Sequence, residues 1–394
     1  MILFEEAYTI LLSHALTLGS ETVDLGQAYN RILTEPVCSD LDMPPYPKSI
    51  RDGYACRQAD LPGPLRVVET IPAGTPPRGT IGRGQCAKIM TGAMVPPGAD
   101  CVIMVEETGP VGEDRILCHH SQPGNYIAAR GEDIRAGSKV ADQGERLTAA
   151  HLAVLAAVGC VSPRVAVQPK VGLLETGDEL IPPAEKPGPT RIRAGVRHAL
   201  EAQLQQVNAL PTYYGIARDD PHALRTLVAQ AMQEQDVLLI CGGVSMGDLD
   251  FVPQVLQELG FKIVFARVAV QPGKPMTLAV SGTKVILGLP GNPVSSMVQF
   301  ELLVKPFLYA MQGFAFRPPV TLFPMASAWR RKDTQRQFWV PVRLTPASEI
   351  EVLPYHGSAH VLALAQADGL MKVPIGVDRL EPGMLVEVRL LRHD

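Results

Sequence analysis

The chain has 394 residues, of which 46% are hydrophobic and only 19% are charged, so it has enough apolar material for roughly two to four domains. A formal net charge of −4 excludes broad electrostatic binding of nucleic acid. The seven cysteines include no Cys-x-x-Cys pair, which argues against a disulfide framework or a zinc ribbon.

No segment of the sequence has the pattern of a secretion signal or a membrane anchor. The N-terminus carries Glu5 and Glu6 where a signal peptide has basic residues. The longest apolar run, residues 152–161, is too short to cross a bilayer. We therefore expect a soluble, cytoplasmic protein with free thiols, and neither a membrane nor a nucleic acid as partner.

In the first part of the sequence, the predicted secondary structure changes from helix to strands. Residues 5–34 are predicted to be helical, with a break before Gln27, because their apolar residues recur on one side. From residue 36 to about 128, short β-like runs alternate with Gly and Pro turns, which is typical of a mostly antiparallel β unit. Residues 147–158 predict one further helix.

The predicted secondary structure of the segment 166–312 differs from that of the preceding β unit, because apolar strands alternate with amphipathic helices. The run from Asp236 to Cys241 is continuously apolar after its first residue, as strands buried on both faces require. This alternation predicts a parallel α/β sheet. Short strand-like runs return in residues 313–394 and predict a small, separate β domain.

Three polar, glycine-containing turns follow strands of this predicted sheet, at residues 175–179, 242–250 and 288–296. Ligands of open parallel sheets bind beyond the carboxyl ends of the strands, so we expect the three turns to meet at one site. Each turn taken alone is equally consistent with an ordinary connection from a strand to a helix.

These turns carry candidate binding groups. Gly242 and Gly243 allow backbone N–H groups to approach an oxyanion. Asp248 and Asp250 provide oxygen donors suited to Mg²⁺. Asn292 is predicted to cap the helix that follows it, whose N-terminus favours an anion.

Two other loops carry charged candidates. Lys274 lies in a Pro-Gly-Lys-Pro segment, so we expect its ammonium group to be held for a phosphate or another oxyanion. A solvated hairpin lysine is the alternative. Asp52 precedes Gly53 in a proline-rich loop, which either presents one carboxylate to a site elsewhere or simply forms an Asp-Gly turn.

Taken together, these segments resemble the molybdopterin molybdotransferase family, whose animal member is the E domain of gephyrin. The resemblance covers nearly the whole chain, in order. The strings that carry it include Pro44-Pro45, Asp52-Gly53-Tyr54-Ala55, Ile89-Met90-Thr91-Gly92-Ala93, Arg130-Gly131-Glu132-Asp133, Thr176-Gly177-Asp178-Glu179-Leu180, Gly242-Gly243-Val244-Ser245-Met246-Gly247-Asp248, Pro272-Gly273-Lys274-Pro275 and Gly288-Leu289-Pro290-Gly291-Asn292-Pro293.

The resemblance implies a multidomain architecture of α/β and β units. Residues 1–35 and 129–165 would form a helical linking domain, and residues 36–128 a mostly-β domain. Residues 166–312 would form a parallel α/β molybdopterin-binding domain, and residues 313–394 a C-terminal β-barrel-like domain. The resemblance also implies a homodimer, with each active site between the α/β domain of one subunit and the β domain of the other.

The implied reaction is the Mg²⁺-dependent insertion of molybdate into adenylylated molybdopterin, with release of AMP. Asp52, Asp178 and Glu179 match the catalytic acids of the family, and Asp248 and Asp250 match its metal-binding acids. The implied substrate-binding residues are Thr176, Gly242, Gly243, Ser245, Lys274, Pro290, Asn292 and Ser358. The implied partners are a molybdopterin adenylyltransferase and an acceptor molybdoenzyme.

The chain departs from the family pattern at several positions. Gln271 replaces the first of two lysines around the Pro-Gly turn, and Val340 replaces a basic residue. An Asp-Ser/Thr-Asn string is replaced by Ala194-Gly195-Val196. Two alternatives therefore remain open: a non-catalytic paralogue that binds molybdopterin or a nucleotide and acts as a scaffold or chaperone for a molybdoenzyme, and a protein that hydrolyses another nucleotide pyrophosphate.

Overall fold

The computed structural model describes residues 1–119, 124–244, 250–355, 357 and 360–391. Strands outnumber helices in this part of the chain. None of the described helices is long and apolar enough to cross a membrane.

The described helices are α1 (Phe4–Ser13), α2 (Ala149–Ala157), α3 (Val196–Gln206), α4 (Pro221–Glu234), α5 (Val252–Glu258), α6 (Pro293–Gln299), α7 (Lys305–Met311) and α8 (Val361–Ala365). The strands up to residue 166 are β1 (Ser20–Thr22), β2 (Val37–Cys38), β3 (Lys48–Ser49), β4 (Gly53–Cys56), β5 (Gly63–Ile71), β6 (Gln85–Ile89), β7 (Cys101–Met104), β8 (Thr108–Val111), β9 (Arg115–Cys118), β10 (Ile127–Ala128), β11 (Lys139–Ala141) and β12 (Arg164–Ala166). The strands of the middle region are β13 (Lys170–Thr176), β14 (Leu180–Ile181), β15 (Ile192–Arg193), β16 (Leu210–Ala217), β17 (Val237–Cys241), β18 (Lys262–Arg267), β19 (Val270–Gln271), β20 (Pro275–Ser281) and β21 (Lys284–Leu289). The C-terminal strands are β22 (Val320–Pro324), β23 (Trp329–Arg330), β24 (Gln337–Leu344), β25 (Ile350–Val352), β26 (Gly369–Val373), β27 (Arg379–Leu380) and β28 (Leu385–Leu390).

The N-terminal β unit is a six-stranded sheet with the order β7-β4-β6-β5-β9-β8. All its neighbouring strands are antiparallel except β5 and β6, which run parallel. The prediction of a mostly antiparallel β unit is confirmed.

The predicted helix over residues 5–34 is wrong beyond Ser13, where α1 ends. Leu33, in the predicted second part, instead forms an antiparallel bridge with Val165 and is 1% exposed. It belongs to a small core that also contains Leu155 of α2. The local spacing of apolar residues resembles a helix, but pairing with a distant segment determines the backbone.

Helix α1 packs against the α/β region. Its buried residues Ala7 and Leu11 belong to the same core as Leu173 of β13 and Leu287 of β21. The predicted boundary assigned residues 1–35 to the linking domain, whereas this packing ties α1 to the α/β core.

The α/β sheet has the order β16-β13-β17-β21-β20-β18. Its first four strands are parallel, and β20 and β18 are antiparallel to their neighbours. One core joins the sheet to α1, α3, α6 and α7, and a second core joins its other face to α4 and α5. The predicted parallel α/β sheet is confirmed, and β17 is buried along its whole length, as its apolar sequence requires.

The C-terminal strands form a sheet with the order β19-β24-β26-β28-β22, and β25 also pairs with β24. Met325, directly after β22, forms a bridge with Ile350 of β25, so the pairing runs around a closed ring. This ring agrees with the predicted barrel-like domain. Strand β19 comes from the α/β region, where it directly precedes the Pro-Gly-Lys-Pro loop, and it pairs with the start of β24.

Candidate functional site

The turns after β13, β17 and β21 line one cleft of about 600 Å³ at the carboxyl edge of the sheet. This volume lies in the usual range for small-molecule sites. The described lining residues are Thr176, Gly177, Glu179, Leu180, Asp219, Gly242, Gly243, Val244, Asp250, Gln271, Pro272, Gly273, Lys274, Pro275, Pro290, Gly291, Asn292, Ser295, Arg336, Tyr355 and Gly357. The expectation that the three turns meet is therefore fulfilled.

Most of the predicted site residues that the structure describes lie in this cleft. They are Thr176, Glu179, Gly242, Gly243, Asp250, Lys274, Pro290 and Asn292. Asp52 and Asp178 do not line it. Ser245, Asp248 and Ser358 lie outside the described residues.

The turn after β17 requires glycine for steric reasons. Gly242 has a φ of +100°, and a Cβ atom there would lie 2.4 Å from the carbonyl oxygen of Thr176. The Gly242 N–H donates to the Leu289 carbonyl at 3.1 Å. The prediction that this N–H is available to an oxyanion is therefore wrong, because the backbone of the neighbouring strand end already uses it.

Three polar atoms of the cleft are buried and lack a partner within the described residues. They are Asn292 Oδ1, Gln271 Oε1 and the Tyr355 hydroxyl. Asn292 is the N-cap residue of α6, but its side chain makes no capping hydrogen bond, contrary to the prediction. Buried polar groups of native proteins are almost always satisfied, so three unsatisfied groups in one cleft indicate a polar ligand.

The carboxylates of the cleft are those of Glu179, Asp219 and Asp250. The Thr176 hydroxyl donates to Asp219 Oδ1 at 3.1 Å. The Asp178 N–H donates to Asp219 Oδ2 at 3.2 Å, and the Asp219 N–H donates back to Asp178 Oδ1 at 3.4 Å. Asp178 thus holds Asp219 in place from beside the cleft. The part of the chain that the structure describes contains no group of three or more His, Cys, Asp or Glu residues arranged to hold a metal.

Lys274 and Arg336 are the basic residues among the described ones that line the cleft. Arg336 directly precedes β24, and the pairing of Val270 with Gln337 brings it to the cleft rim. Its Nη2 donates to Asp333 Oδ2 at 2.8 Å, which fixes the guanidinium group.

Sequence reasoning did not find Arg336, Tyr355 or Asp219 as site residues. Burial raises the pKa of Tyr355 to about 12, so its hydroxyl stays protonated and can donate to an anion. Arg336 and Tyr355 belong to the C-terminal β region and have no local signal in the sequence. Asp219 follows β16, and the edge rule that located the other turns also applies to it.

Asp52 lies in the N-terminal β region, directly before β4. Its Oδ1 accepts hydrogen bonds from the N–H and the hydroxyl of Thr91, at 2.7 and 2.9 Å. These bonds, the backbone one first, hold the pKa of Asp52 below its usual value. Asp52 is therefore an exposed, charged carboxylate whose orientation is fixed.

A second cavity of about 550 Å³ lies beside this loop. It brings together residues from three of the strings that carry the family resemblance, which are the proline-rich loop, residues 89–93 and the Arg-Gly-Glu-Asp segment. Its lining residues are Met43, Pro44, Pro45, Tyr46, Lys48, Gly92, Ala128, Glu132 and Asp133.

Of the positions at which the chain departs from the family pattern, Gln271 lines the cleft, whereas Ala194, Val196 and Val340 do not. Ala194 and Val196 are each 3% exposed, and Val340 is 1% exposed. Val196 packs in the α/β core and Val340 in the C-terminal core. These three replacements change buried packing positions rather than the cleft.

Three family models together match most of the chain. Residues 2–159 match the MoeA N-terminal region (domain I and II), residues 172–310 match a "Probable molybdopterin binding domain", and residues 323–391 match the MoeA C-terminal region (domain IV).

Curated relatives extend over nearly the whole chain. A molybdopterin molybdenumtransferase of Nostoc sp. is 34% identical over 92% of this chain and 87% of its own length. The enzyme of the same name from Synechococcus elongatus is 35% identical over 98% of this chain and 99% of its own length. A molybdopterin biosynthesis MoeA protein from Pyrococcus horikosii superposes with a TM-score of 0.82 at 31% identity, and each chain is covered completely.

Proposed function

Because the chain belongs to the MoeA family, we propose that it is a molybdopterin molybdenumtransferase, which inserts molybdate into adenylylated molybdopterin and releases AMP. The observation that carries this proposal is the composition of the cleft. Among the described residues it combines two cations, three carboxylates and three unpartnered buried polar atoms at the carboxyl edge of the sheet.

The two basic residues suit the anionic substrates. Lys274 and Arg336 both line the cleft, so together they can offset the negative charge of an oxyanion. The Tyr355 hydroxyl and the amide N–H groups of Gln271 are neutral donors in the same cleft. In this proposal Gln271 donates a hydrogen bond where the family pattern has a lysine, and Arg336 supplies the cationic charge.

The acidic residues suit the release of AMP. Glu179 is an exposed carboxylate at the cleft, and it can accept a proton from the water that attacks the phosphate. Asp219 is oriented by Thr176 and Asp178, so its carboxylate has a fixed direction. We assign the proton-accepting role to Glu179 and a water-orienting role to Asp219.

We also propose that the site binds Mg²⁺. Mg²⁺ in proteins usually keeps several waters and binds through one or two carboxylates together with substrate phosphates. Asp250 lines the cleft, and Asp248 in the same turn lies outside the described residues. Asp250 can supply one carboxylate to such a partly hydrated ion, which would neutralise charge on the phosphates.

The position of Asp52 supports a homodimer with shared sites. Asp52 is charged and held by Thr91, yet it does not line the cleft of its own chain. We propose that it completes the cleft of a second subunit.

We further propose that the protein is cytoplasmic, which agrees with all seven cysteines being thiols. As partners we propose a molybdopterin adenylyltransferase and an acceptor molybdoenzyme.

The product test is direct. The purified protein is incubated with adenylylated molybdopterin, molybdate and Mg²⁺, and the pterin is then analysed by mass spectrometry for bound molybdenum. We expect molybdenum on the pterin for the wild type and little for Lys274→Ala. A pterin that binds to the protein but never gains molybdenum would instead support the non-catalytic scaffold.

A further inference from the structure

A row of polar residues runs along one side of helix α6 from its N-cap, and the first two of them line the cleft. Asn292 and Ser295 line the cleft, and Gln299 follows Ser295 by four residues, which places it on the same side of the helix. Gln299 itself is 0% exposed. A π-helical segment, Phe300–Val304, begins directly after it, and such segments are frequent at functional sites.

The Gln299 side chain holds the loop that carries Lys274. Its Nε2 donates a hydrogen bond to the Gly273 carbonyl. Gly273 has a φ of +101°, and a Cβ atom there would lie 2.8 Å from Cγ of Gln299. The loop backbone therefore rests directly on this amide side chain.

The Lys274 backbone is fixed on both sides. Its own carbonyl accepts a hydrogen bond from the Val268 N–H at 3.0 Å, and the preceding carbonyl, that of Gly273, is the one held by Gln299. Lys274 is exposed at the cleft, so the direction of its side chain depends on these two backbone anchors.

The amide group of Gln299 is only partly satisfied. Its Oε1 is buried and has no partner within the described residues. An apolar side chain of similar size would remove this unpaired oxygen, but it would leave the Gly273 carbonyl without its donor. The contact that distinguishes glutamine from methionine at this position is the one with Gly273.

We propose that Gln299 is a positioning residue, which fixes Gly273 and thereby holds the ammonium group of Lys274 at the oxyanion subsite. The inference rests on the proposed function for the identity of the anion, but the ordering of the loop can be measured without any ligand.

The test compares Gln299→Met with a matched control, Gln312→Met. Gln312 is 3% exposed, and its Nε2 donates to the carbonyls of Val207 and Leu308 at 2.8 and 3.1 Å. Its Oε1 also lacks a partner in the described part of the chain, and it does not line the cleft. Both variants thus remove one buried amide, and only one of them releases the Lys274 loop.

The first readout is hydrogen–deuterium exchange of residues 268–276 in the ligand-free protein. We expect faster exchange in this segment for Gln299→Met and wild-type exchange there for Gln312→Met. If Gln299→Met leaves the segment as protected as in the wild type, the proposal is wrong. Gln299→Leu serves the same purpose if the methionine variant does not fold.

The second readout is the apparent KM for molybdate in AMP release. We expect Gln299→Met to raise it roughly tenfold, since small displacements of a binding group are costly, and Gln312→Met to leave it unchanged. An equal rise for both glutamine variants would overturn the inference. A wild type without any dependence on molybdate would instead refute the proposed function, while the exchange result would still decide the role of Gln299.

Discussion

At the scale of single residues, Gln271 and Lys274 stand on either side of a Pro-Gly pair, and both line the cleft. The family pattern has a lysine at both positions. The Oε1 atom of Gln271 is buried without a partner in the described chain. A glutamine amide can still donate to an oxyanion, but with less energy than an ammonium group.

We predict that Gln271→Lys lowers the apparent KM for molybdate by roughly fivefold, because a charge-assisted hydrogen bond is about twice as strong as a neutral one. The control is Gln254→Lys, which adds the same charge at an exposed position of α5 away from the cleft. An unchanged KM in Gln271→Lys would mean that this side chain does not touch the anion.

Removal of the Asp52 carboxylate is expected to affect turnover but not stability. Asp52→Ala should lower turnover by roughly a hundredfold or more, the range expected for loss of a charged group held in place at a reaction site, without lowering the melting temperature. The fold should tolerate the change because Asp52 is exposed and its carboxylate is held by Thr91 alone in the described structure. Asp114→Ala, which removes an exposed aspartate of the same region, is the control. Wild-type turnover in Asp52→Ala would remove this residue from the mechanism.

At the scale of elements, the cleft depends on close approach between strand ends. The turn after β17 rests on the end of β13, where Gly242 leaves no room for a Cβ atom next to Thr176. Stability and site geometry therefore depend on the same glycine.

We predict that Gly242→Ala destabilises the protein by about 3 kcal/mol or more, since overpacking adds to the cost of a positive φ. Gly260→Ala is the control, because Gly260 has a φ of +80° but open space around it. It should cost only about 1–2 kcal/mol, the cost of the backbone conformation alone. Urea denaturation measures both values, and equal losses would show that the steric contact with Thr176 is unimportant.

Local patterns predicted the α/β sheet well, because the apolar run of β17 and the turns after it are properties of contiguous residues. Local patterns failed where pairing with a segment far away in the sequence determines the backbone conformation or the position of a side chain. Leu33 pairs with Val165, and Arg336 reaches the cleft only because Val270 pairs with Gln337. The capping role of Asn292 was also predicted wrongly, since its side chain makes no hydrogen bond to the helix amides it was expected to cap.

At the scale of the whole molecule, the C-terminal β ring and the α/β sheet are joined through β19, which pairs with β24. This connection places Arg336 and Tyr355 in the same cleft as the turns of the sheet. The N-terminal β region carries Asp52 but contributes no described residue to the cleft of its own chain. A complete site therefore requires, in our proposal, a second subunit.

This proposal predicts complementation between two inactive variants. Asp52→Ala and Lys274→Ala should each be inactive alone, whereas subunit exchange between them should restore about a quarter of wild-type activity, since half of the randomly mixed dimers have one intact site. Activity is measured after mixing and brief mild denaturation. If the mixture stays inactive although mixed dimers form, both residues serve the same subunit's site.

The central claim, that this cleft transfers molybdate, is tested most directly by AMP release from adenylylated molybdopterin in the presence of Mg²⁺, with and without molybdate. We predict that AMP appears only when molybdate is present, and that Lys274→Ala greatly reduces its release. AMP release that is independent of molybdate, or no release despite tight binding of the pterin, would contradict the account.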